Sequence, residues 1–158
     1  MDCKFYEKKH CKREFIRINA NFECISFKSK LSNVGEKEMI KVLDYDEFVT
    51  ACKYIAKTIR KNYMDKIDNI FGVPRGGLVL AVYLSHALDL PIVTEVKNAR
   101  TLVVDDIADT GETLKKFNEF DYGITATIYY HEQSIVEPDI WVYEKRDKWI
   151  QFPWENAL

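Results

Sequence analysis

From residue 44 onwards, apolar and polar residues follow two alternating patterns. Helical spacing appears after Asp46, the expected N-cap, in the apolar positions Phe48, Val49, Cys52, Ile55, Ala56 and Ile59. Further helical patterns cover Leu78–Leu88 and residues 112–120, and short apolar runs typical of strands cover Ile67–Val73, Ile92–Val96, Thr101–Asp105 and Ile124–Tyr130. This alternation predicts an α/β domain with a mostly parallel sheet flanked by helices.

The first 43 residues lack this regular alternation. Residues 14–28 alternate in part on either side of Asn19-Ala20-Asn21, which predicts a β-hairpin, and residues 29–43 have the character of a linker. We therefore expect an N-terminal extension over residues 1–43 and a main domain over residues 44–158.

Composition narrows the class of protein. The chain has 158 residues, 47% of them hydrophobic and 30% charged, which suits one globular domain with a substantial core. The formal net charge of −2 argues against general nucleic-acid binding. Residues 1–30 are nevertheless basic, with eight Lys or Arg and four Asp or Glu, and a solvated accessory segment is the interpretation we favour over a binding arm.

Cysteine spacing and hydropathy both bear on the compartment in which we expect the protein. Cys3, Cys11, Cys24 and Cys52 are irregularly spaced, and no C-x-x-C pair occurs. His10 beside Cys11 makes a zinc site conceivable, but ordinary reduced thiols are the better interpretation. No apolar run is long enough to span a bilayer, and the charged N-terminus lacks a signal-peptide core, so we expect a cytoplasmic protein without a membrane partner.

The segment at residues 101–113, Thr-Leu-Val-Val-Asp-Asp-Ile-Ala-Asp-Thr-Gly-Glu-Thr, carries the most chemistry. A strand delivers Asp105 and Asp106 at its tip, Asp109 follows three residues later, and a Thr-Gly-x-Thr turn leads into a helix. A helix N-terminus offers unpaired N–H donors and a positive dipole end, which bind phosphate well. The segment therefore predicts a site for a polyol and a phosphate at one end of the sheet.

Two other interpretations of this segment are weaker. Isoprenoid synthases also carry Asp-Asp-x-x-Asp, on a helix that binds magnesium diphosphate, but Val103 and Val104 favour a strand here and Thr110-Gly111 would interrupt a helix. A plain surface turn does not need three acids and two threonines at this spacing.

Two more segments bear on function. Pro74-Arg75-Gly76-Gly77 follows a predicted strand and precedes an apolar helix, and an arginine there can pair with diphosphate oxygens in a forked geometry. Near the C-terminus, Lys148-Trp149-Ile150-Gln151-Phe152-Pro153-Trp154-Glu155 offers aromatic faces that complement a planar base. Two tryptophans near a C-terminus are more often packing anchors, so this segment gains weight only beside the other two.

Together the three segments resemble the type I phosphoribosyltransferases, most closely the xanthine–guanine and other 6-oxopurine enzymes. The resemblance implies the type I phosphoribosyltransferase fold, with a small C-terminal hood over residues 131–158. It implies transfer of the 5-phosphoribosyl group from 5-phosphoribosyl-1-pyrophosphate (PRPP) to guanine, xanthine or hypoxanthine, giving a nucleoside monophosphate and pyrophosphate. It also implies Mg²⁺ as cofactor, and a homodimer or higher homo-oligomer.

The same resemblance assigns roles to individual residues. Asp105 and Asp106 would hold the metal and the ribose hydroxyls, and Asp109 would be the catalytic residue, either as a general base or as electrostatic support for the cationic sugar. The residues implied to bind PRPP are Arg75, Gly76, Gly77, Asp105, Asp106, Asp109, Thr110, Gly111, Glu112 and Thr113. Those implied to bind the base are His131, Trp149, Ile150 and Glu155.

The chain departs from its relatives in two places. They carry a lysine after the strand at residues 124–130, where this chain has His131, and a long mobile loop before the Asp-Asp strand, where this chain has only Glu95–Arg100. A rival interpretation is therefore a non-catalytic PRPP or nucleotide sensor of the same fold.

Overall fold

The computed structural model describes residues 16–18, 24–26, 40–118 and 123–156. The chain separates into two units, residues 1–35 and residues 36–158. In the first unit, strands β1 (Ile16–Ile18) and β2 (Cys24–Ser26) pair antiparallel, in agreement with the hairpin expected over residues 14–28.

The second unit carries the parallel sheet that the sequence predicts. Its elements, in chain order, are β3 (Lys41–Val42), α1 (Tyr45–Asn62), β4 (Asn69–Gly72), α2 (Gly76–Leu88), β5 (Thr101–Ala108), α3 (Glu112–Asn118), β6 (Ile124–His131), β7 (Ile140–Lys145), β8 (Ile150–Gln151) and a 3₁₀ helix (Pro153–Asn156). The main sheet has the order β4-β5-β6-β7 with every pair parallel, and β3 pairs with β8 in a separate parallel two-stranded sheet. The α/β class is therefore confirmed. Among the described residues, no helix is both long enough and apolar enough to cross a membrane.

Helix α1 begins one residue before the expected cap. Asp44 is the N-cap: its Oδ1 accepts a hydrogen bond of 2.7 Å from the backbone N–H of Glu47, whose side chain accepts one of 3.3 Å from the N–H of Asp44. The prediction of Asp46 as the cap was wrong because only Asp44 stands three residues before a glutamate that can return the bond. The buried face of α1 consists of Phe48, Ala51, Cys52, Ile55, Ala56 and Ile59.

The strand predicted over Ile92–Val96 does not form. Ile92 makes an isolated bridge to Ile70 at the sheet edge, and the N–H of Val93 donates to the carbonyl of Ile70 at 2.8 Å, after which the chain leaves the sheet. Ile92 is 42% exposed, so little burial is available to hold a longer strand against β4.

Other boundaries also moved. Strand β5 continues through Ala108, so Asp105 and Asp106 lie within the strand rather than at its tip. Residues 140–145, which we had expected in the hood, form β7 of the main sheet. Lys41 and Val42, expected in the extension, form β3 in the second unit.

Strand β5 is the centre of the core because it is buried on both faces. Leu102, Val103 and Val104 have no exposed surface, as expected for a central strand of a parallel sheet. Leu102 and Val104 pack in the cluster that includes α1 and α2, whereas Val103 packs with Leu114 of α3 on the opposite face. This sandwich fixes the carboxyl end of β5, where the acidic residues lie.

Candidate active site

The carboxylates of Asp105 and Asp106 sit close together near the end of β5. Asp105 is 9% exposed, and its Oδ1 accepts a hydrogen bond of 2.9 Å from the backbone N–H of Asp106. Burial, followed by the charge of Asp106, raises the pKa of Asp105 to about 8. Burial also raises the pKa of Asp106, and the charge of Glu155 adds to this effect. The pair therefore retains a proton at neutral pH unless a cation compensates its charge.

This donor set suits a magnesium ion. Mg²⁺ prefers carboxylate oxygens and usually keeps several waters or substrate oxygens in its coordination shell. Across residues 40–118 and 123–156, no group of three or more His, Cys, Asp or Glu side chains converges as a complete metal cage. Two carboxylates whose charge favours a nearby cation could supply part of the coordination shell of Mg²⁺, and substrate oxygens and water could supply the rest.

The segment predicted as a loop over Pro74–Gly77 lies against this acid pair, but its two glycines are the first residues of α2. The peptide bond between Pro74 and Arg75 is cis, and the Arg75 side chain is on the exposed side of the loop. A Cβ atom at residue 76 would overlap the Asp106 carboxylate, and one at residue 77 would overlap the carbonyl of Val104 in β5. The two glycines therefore allow the loop to approach the strand closely, which brings two of the three sequence motifs together.

Residues 109–111 connect the end of β5 to α3, whose first turn begins at Glu112. Gly111 has φ of +80°, a left-handed conformation that favours glycine, and its carbonyl accepts the N–H of Lys115 at 2.9 Å in the first turn of α3. The carbonyl of Thr110 accepts the N–H of Ile135 at 2.9 Å. A cavity of about 100 Å³ is lined by Asp105, Ile107, Ala108, Asp109, Thr110, Gly111, Thr113 and Leu114. Glu112 is exposed.

Asp109 accepts hydrogen bonds from two side chains in other parts of the fold. Its Oδ2 accepts a hydrogen bond of 2.9 Å from Nζ of Lys145 at the end of β7, and its Oδ1 accepts one of 2.9 Å from Nε2 of Gln133. Burial alone would raise the pKa of Asp109, but the bonds from Lys145 and Gln133, with a smaller contribution from His131, lower it below its usual value. Asp109 is thus ionised where Asp105 is not.

Neither Lys145 nor Gln133 was predicted from the sequence to contact Asp109. Lys145 comes into reach because β7 pairs with β6, and His131 lies opposite Lys145 in that register. The alternation of apolar residues at 140–142, with Ile140 and Val142 buried and Trp141 half-buried, is a local signal for β7.

His131 is oriented by the same turn. Its Nδ1 accepts a hydrogen bond of 3.0 Å from the backbone N–H of Gln133. In a neutral imidazole one nitrogen accepts and the other carries the proton, so in that form this contact places the proton on Nε2. His131 can therefore donate a hydrogen bond to a carbonyl group.

The two C-terminal tryptophans have different environments. The ring of Trp154 stacks on that of Phe152, with centroids 4.8 Å apart, and meets Phe48 edge-on at 5.2 Å. Trp149 is 67% exposed, although its backbone is fixed by the bond of 2.8 Å from the N–H of Lys41 to its carbonyl. The packing interpretation thus fits Trp154, whereas Trp149 offers a free aromatic face.

Ile150 and Glu155 complete the tail. Ile150 is 6% exposed and belongs to the core through β8. Glu155 closes the 3₁₀ turn by accepting the N–H of Phe152 at 2.9 Å, and its charge acts on Asp106. The tail therefore comes near the acid pair through Glu155.

Comparison with known proteins identifies relatives of this chain. No protein-family model matches the chain. The xanthine-guanine phosphoribosyltransferase of Idiomarina loihiensis is 28% identical, in a match that covers 73% of this chain and 87% of that protein. The purine phosphoribosyltransferase structure from Pyrococcus horikoshii is 30% identical with a TM-score of 0.65, and the match covers 75% of this chain and 96% of that one.

A more distant structure supports the fold alone. The xanthine-guanine-hypoxanthine phosphoribosyltransferase of Helicobacter pylori is 20% identical with a TM-score of 0.64, in a match covering 75% of this chain and 95% of that one. Because the Pyrococcus relative is matched over nearly its whole length, this chain belongs to the type I phosphoribosyltransferases and is related to the xanthine–guanine enzymes.

Proposed function

We propose that this protein transfers the 5-phosphoribosyl group of PRPP to guanine, xanthine or hypoxanthine, releasing pyrophosphate. The observation that carries the proposal is that carboxylates near the end of β5 have pKa values shifted in opposite directions. Asp105 and Asp106 favour a compensating cation, whereas Asp109 is held ionised by Lys145. A metal-bound diphosphate and a cationic sugar require these two environments side by side.

Substrate binding draws on the loops around the acid pair. Asp105 and Asp106 would hold Mg²⁺, which when bound supplies positive charge to the diphosphate oxygens. Arg75, exposed beside the acid pair, pairs with the diphosphate, and Gly76 lets the backbone approach it. Residues 109–113 surround the 5′-phosphate with backbone N–H groups and the hydroxyls of Thr110 and Thr113.

The transfer step uses charge and orientation. The bond from ribose C1′ to the pyrophosphate oxygen breaks, pyrophosphate leaves with the electron pair, and a ring nitrogen of the base bonds to C1′ and loses its proton. Positive charge develops on the sugar, and the carboxylate of Asp109 stabilises it.

The base site uses the groups at the ends of β6 and the tail. Trp149 stacks on the purine through its exposed ring. Nε2 of His131 donates a hydrogen bond to the 6-oxo group of the purine. The 6-amino group of adenine cannot accept such a bond. An unpaired donor is costly, so adenine is expected to be a poor substrate.

One observation favours the sensor as a second candidate. Only residues 89–100 connect α2 to β5, and two of their cations bind nearby acids: Lys97 pairs with Glu95 at 2.7 Å, and Arg100 donates to Asp68 at 2.7 Å. A short connection whose cations form local ion pairs covers less of a bound substrate than a long mobile loop would. A protein that binds PRPP without transferring the phosphoribosyl group would suit a regulatory role.

Pyrophosphate release separates the two functions. The purified protein is incubated with PRPP, Mg²⁺ and each of guanine, xanthine, hypoxanthine and adenine. We expect release with one or more 6-oxopurines and little with adenine. A folded protein that binds PRPP in calorimetry but releases no pyrophosphate with any base would favour the sensor.

A further inference from the structure

We propose that Lys145 is a positioning residue for the transfer, which holds Asp109 as a fixed negative charge instead of leaving it as a proton acceptor. This inference rests on the proposed function and deepens it. Lys145 lies outside all three sequence motifs, on the fourth strand of the main sheet.

The geometry distinguishes this contact from a surface ion pair. Nζ of Lys145 is 2.9 Å from Oδ2 of Asp109, and the lysine side chain is only 13% exposed while the Asp109 side chain is 41% exposed. In the pair between Lys97 and Glu95 both side chains are more than 60% exposed. The ammonium group of Lys145 therefore points into the site, with its methylene chain covered, and is screened less by water.

The register of the sheet fixes where this charge stands. Lys145 is the last residue of β7 and lies opposite His131, the last residue of β6. Both strands run parallel to β5, so their carboxyl ends meet at the edge where Asp109 follows β5. Lys145 is therefore held by the sheet itself rather than by a loop.

In the part of the chain that the structure describes, the side chains that act on Asp109 favour its charged form. They are Lys145 from β7, Gln133 from the turn that follows β6, and the imidazolium form of His131 from β6. Each carboxylate oxygen accepts one bond and keeps further lone-pair capacity toward the site. Burial is the opposing influence, so removal of the ammonium group should raise the pKa of Asp109.

This arrangement decides where the proton of the base goes. As the ring nitrogen bonds to C1′ and the C1′–O bond to pyrophosphate breaks, the N–H proton of the base passes to solvent water. Asp109 remains ionised throughout and stabilises the positive charge on the sugar, because a carboxylate paired with an ammonium is a weak base.

Titration of Asp109 by carboxyl ¹³C NMR tests the effect of Lys145 on Asp109 directly in the ligand-free protein. The Asp109 signal is assigned by its loss in D109N. In K145M the pKa of Asp109 is expected to rise, because burial persists without the cation. K145Q should also raise it, K145R should preserve the wild-type value, and K53M, on the exposed side of α1, is the matched control. An unchanged Asp109 titration in both K145M and K145Q would overturn the proposal.

The pH profile of transfer supplies the second readout. In K145M the acid limb of kcat/KM should move to higher pH, kcat should fall by about 10²-fold, and KM for PRPP should change little. K145R should recover most of kcat. A K145M profile with an unmoved acid limb and normal kcat would contradict the positioning role. Absence of turnover in the wild-type protein would instead refute the proposed function. The NMR titration would still measure the effect of Lys145 on the pKa of Asp109.

Discussion

The carboxylate of Asp106 lies directly against Gly76, so closely that a Cβ atom at position 76 would overlap it. The neighbouring Gly77 makes a similar approach to the carbonyl of Val104. One glycine thus faces the end of a side chain and the other faces the backbone of the central strand. This difference makes two adjacent substitutions informative.

Gly76→Ala should weaken substrate binding more than it weakens the fold, because the Asp106 carboxylate can rotate away from the new methyl group but then leaves its place in the acid pair. Gly77→Ala should lower the free energy of unfolding by roughly 1–3 kcal/mol, because the backbone of β5 cannot yield so easily. Calorimetric binding of Mg²⁺ and PRPP and denaturant unfolding measure the two effects. Equal loss of stability in both variants would contradict this assignment.

The stability of the metal-free protein should depend on Asp105. Its pKa is raised in the folded state from the ordinary carboxyl value of 3.8 to about 8, so the folded protein binds the proton more tightly than the unfolded chain. The resulting stabilisation is full below pH 4 and is lost as the pH rises toward 8. The melting temperature of metal-free protein should therefore fall between about pH 4 and pH 8. Asp105→Asn should flatten this dependence, and saturating Mg²⁺ should oppose it; an identical slope in the variant would refute the role of Asp105.

Trp149→Ala and Trp154→Ala should affect different properties. Loss of the exposed Trp149 ring should raise KM for the base while leaving the free energy of unfolding nearly unchanged. Loss of Trp154, which packs on Phe152 and Phe48, should cost roughly 2–3 kcal/mol, somewhat less than a fully buried tryptophan. Steady-state kinetics and chemical denaturation check the pair. Normal base affinity in Trp149→Ala would remove that residue from the site.

Asp109→Asn should reduce turnover by about 10²–10³-fold without unfolding the protein. The amide keeps the shape of the carboxylate but loses the charge that faces the sugar, and its side chain is partly exposed, so little core packing changes. Single-turnover pyrophosphate release measures the chemical step, and circular dichroism checks the fold. Unchanged turnover would exclude Asp109 from catalysis.

Local sequence determined the class of fold and the content of the three motifs. The continuous apolar run before Asp105 predicted a buried parallel strand, and β5 is buried on both faces. The order of strand, acid cluster and glycine turn is contiguous, so its chemistry could be recognised without knowledge of distant contacts. Helix α1 was predicted for the same reason, since its buried face repeats at short range.

Tertiary structure decided which of these groups act together. The bond between Lys145 and Asp109 joins residues 36 positions apart, and it depends on the register of β6 and β7, which no local period encodes. Burial raises the pKa of Asp105, whereas hydrogen bonds from Lys145 and Gln133 overcome burial and lower the pKa of Asp109, although both are aspartates on one segment. The sequence by itself therefore determined which chemical groups are present, and the packing of the sheet determined their charges and their partners.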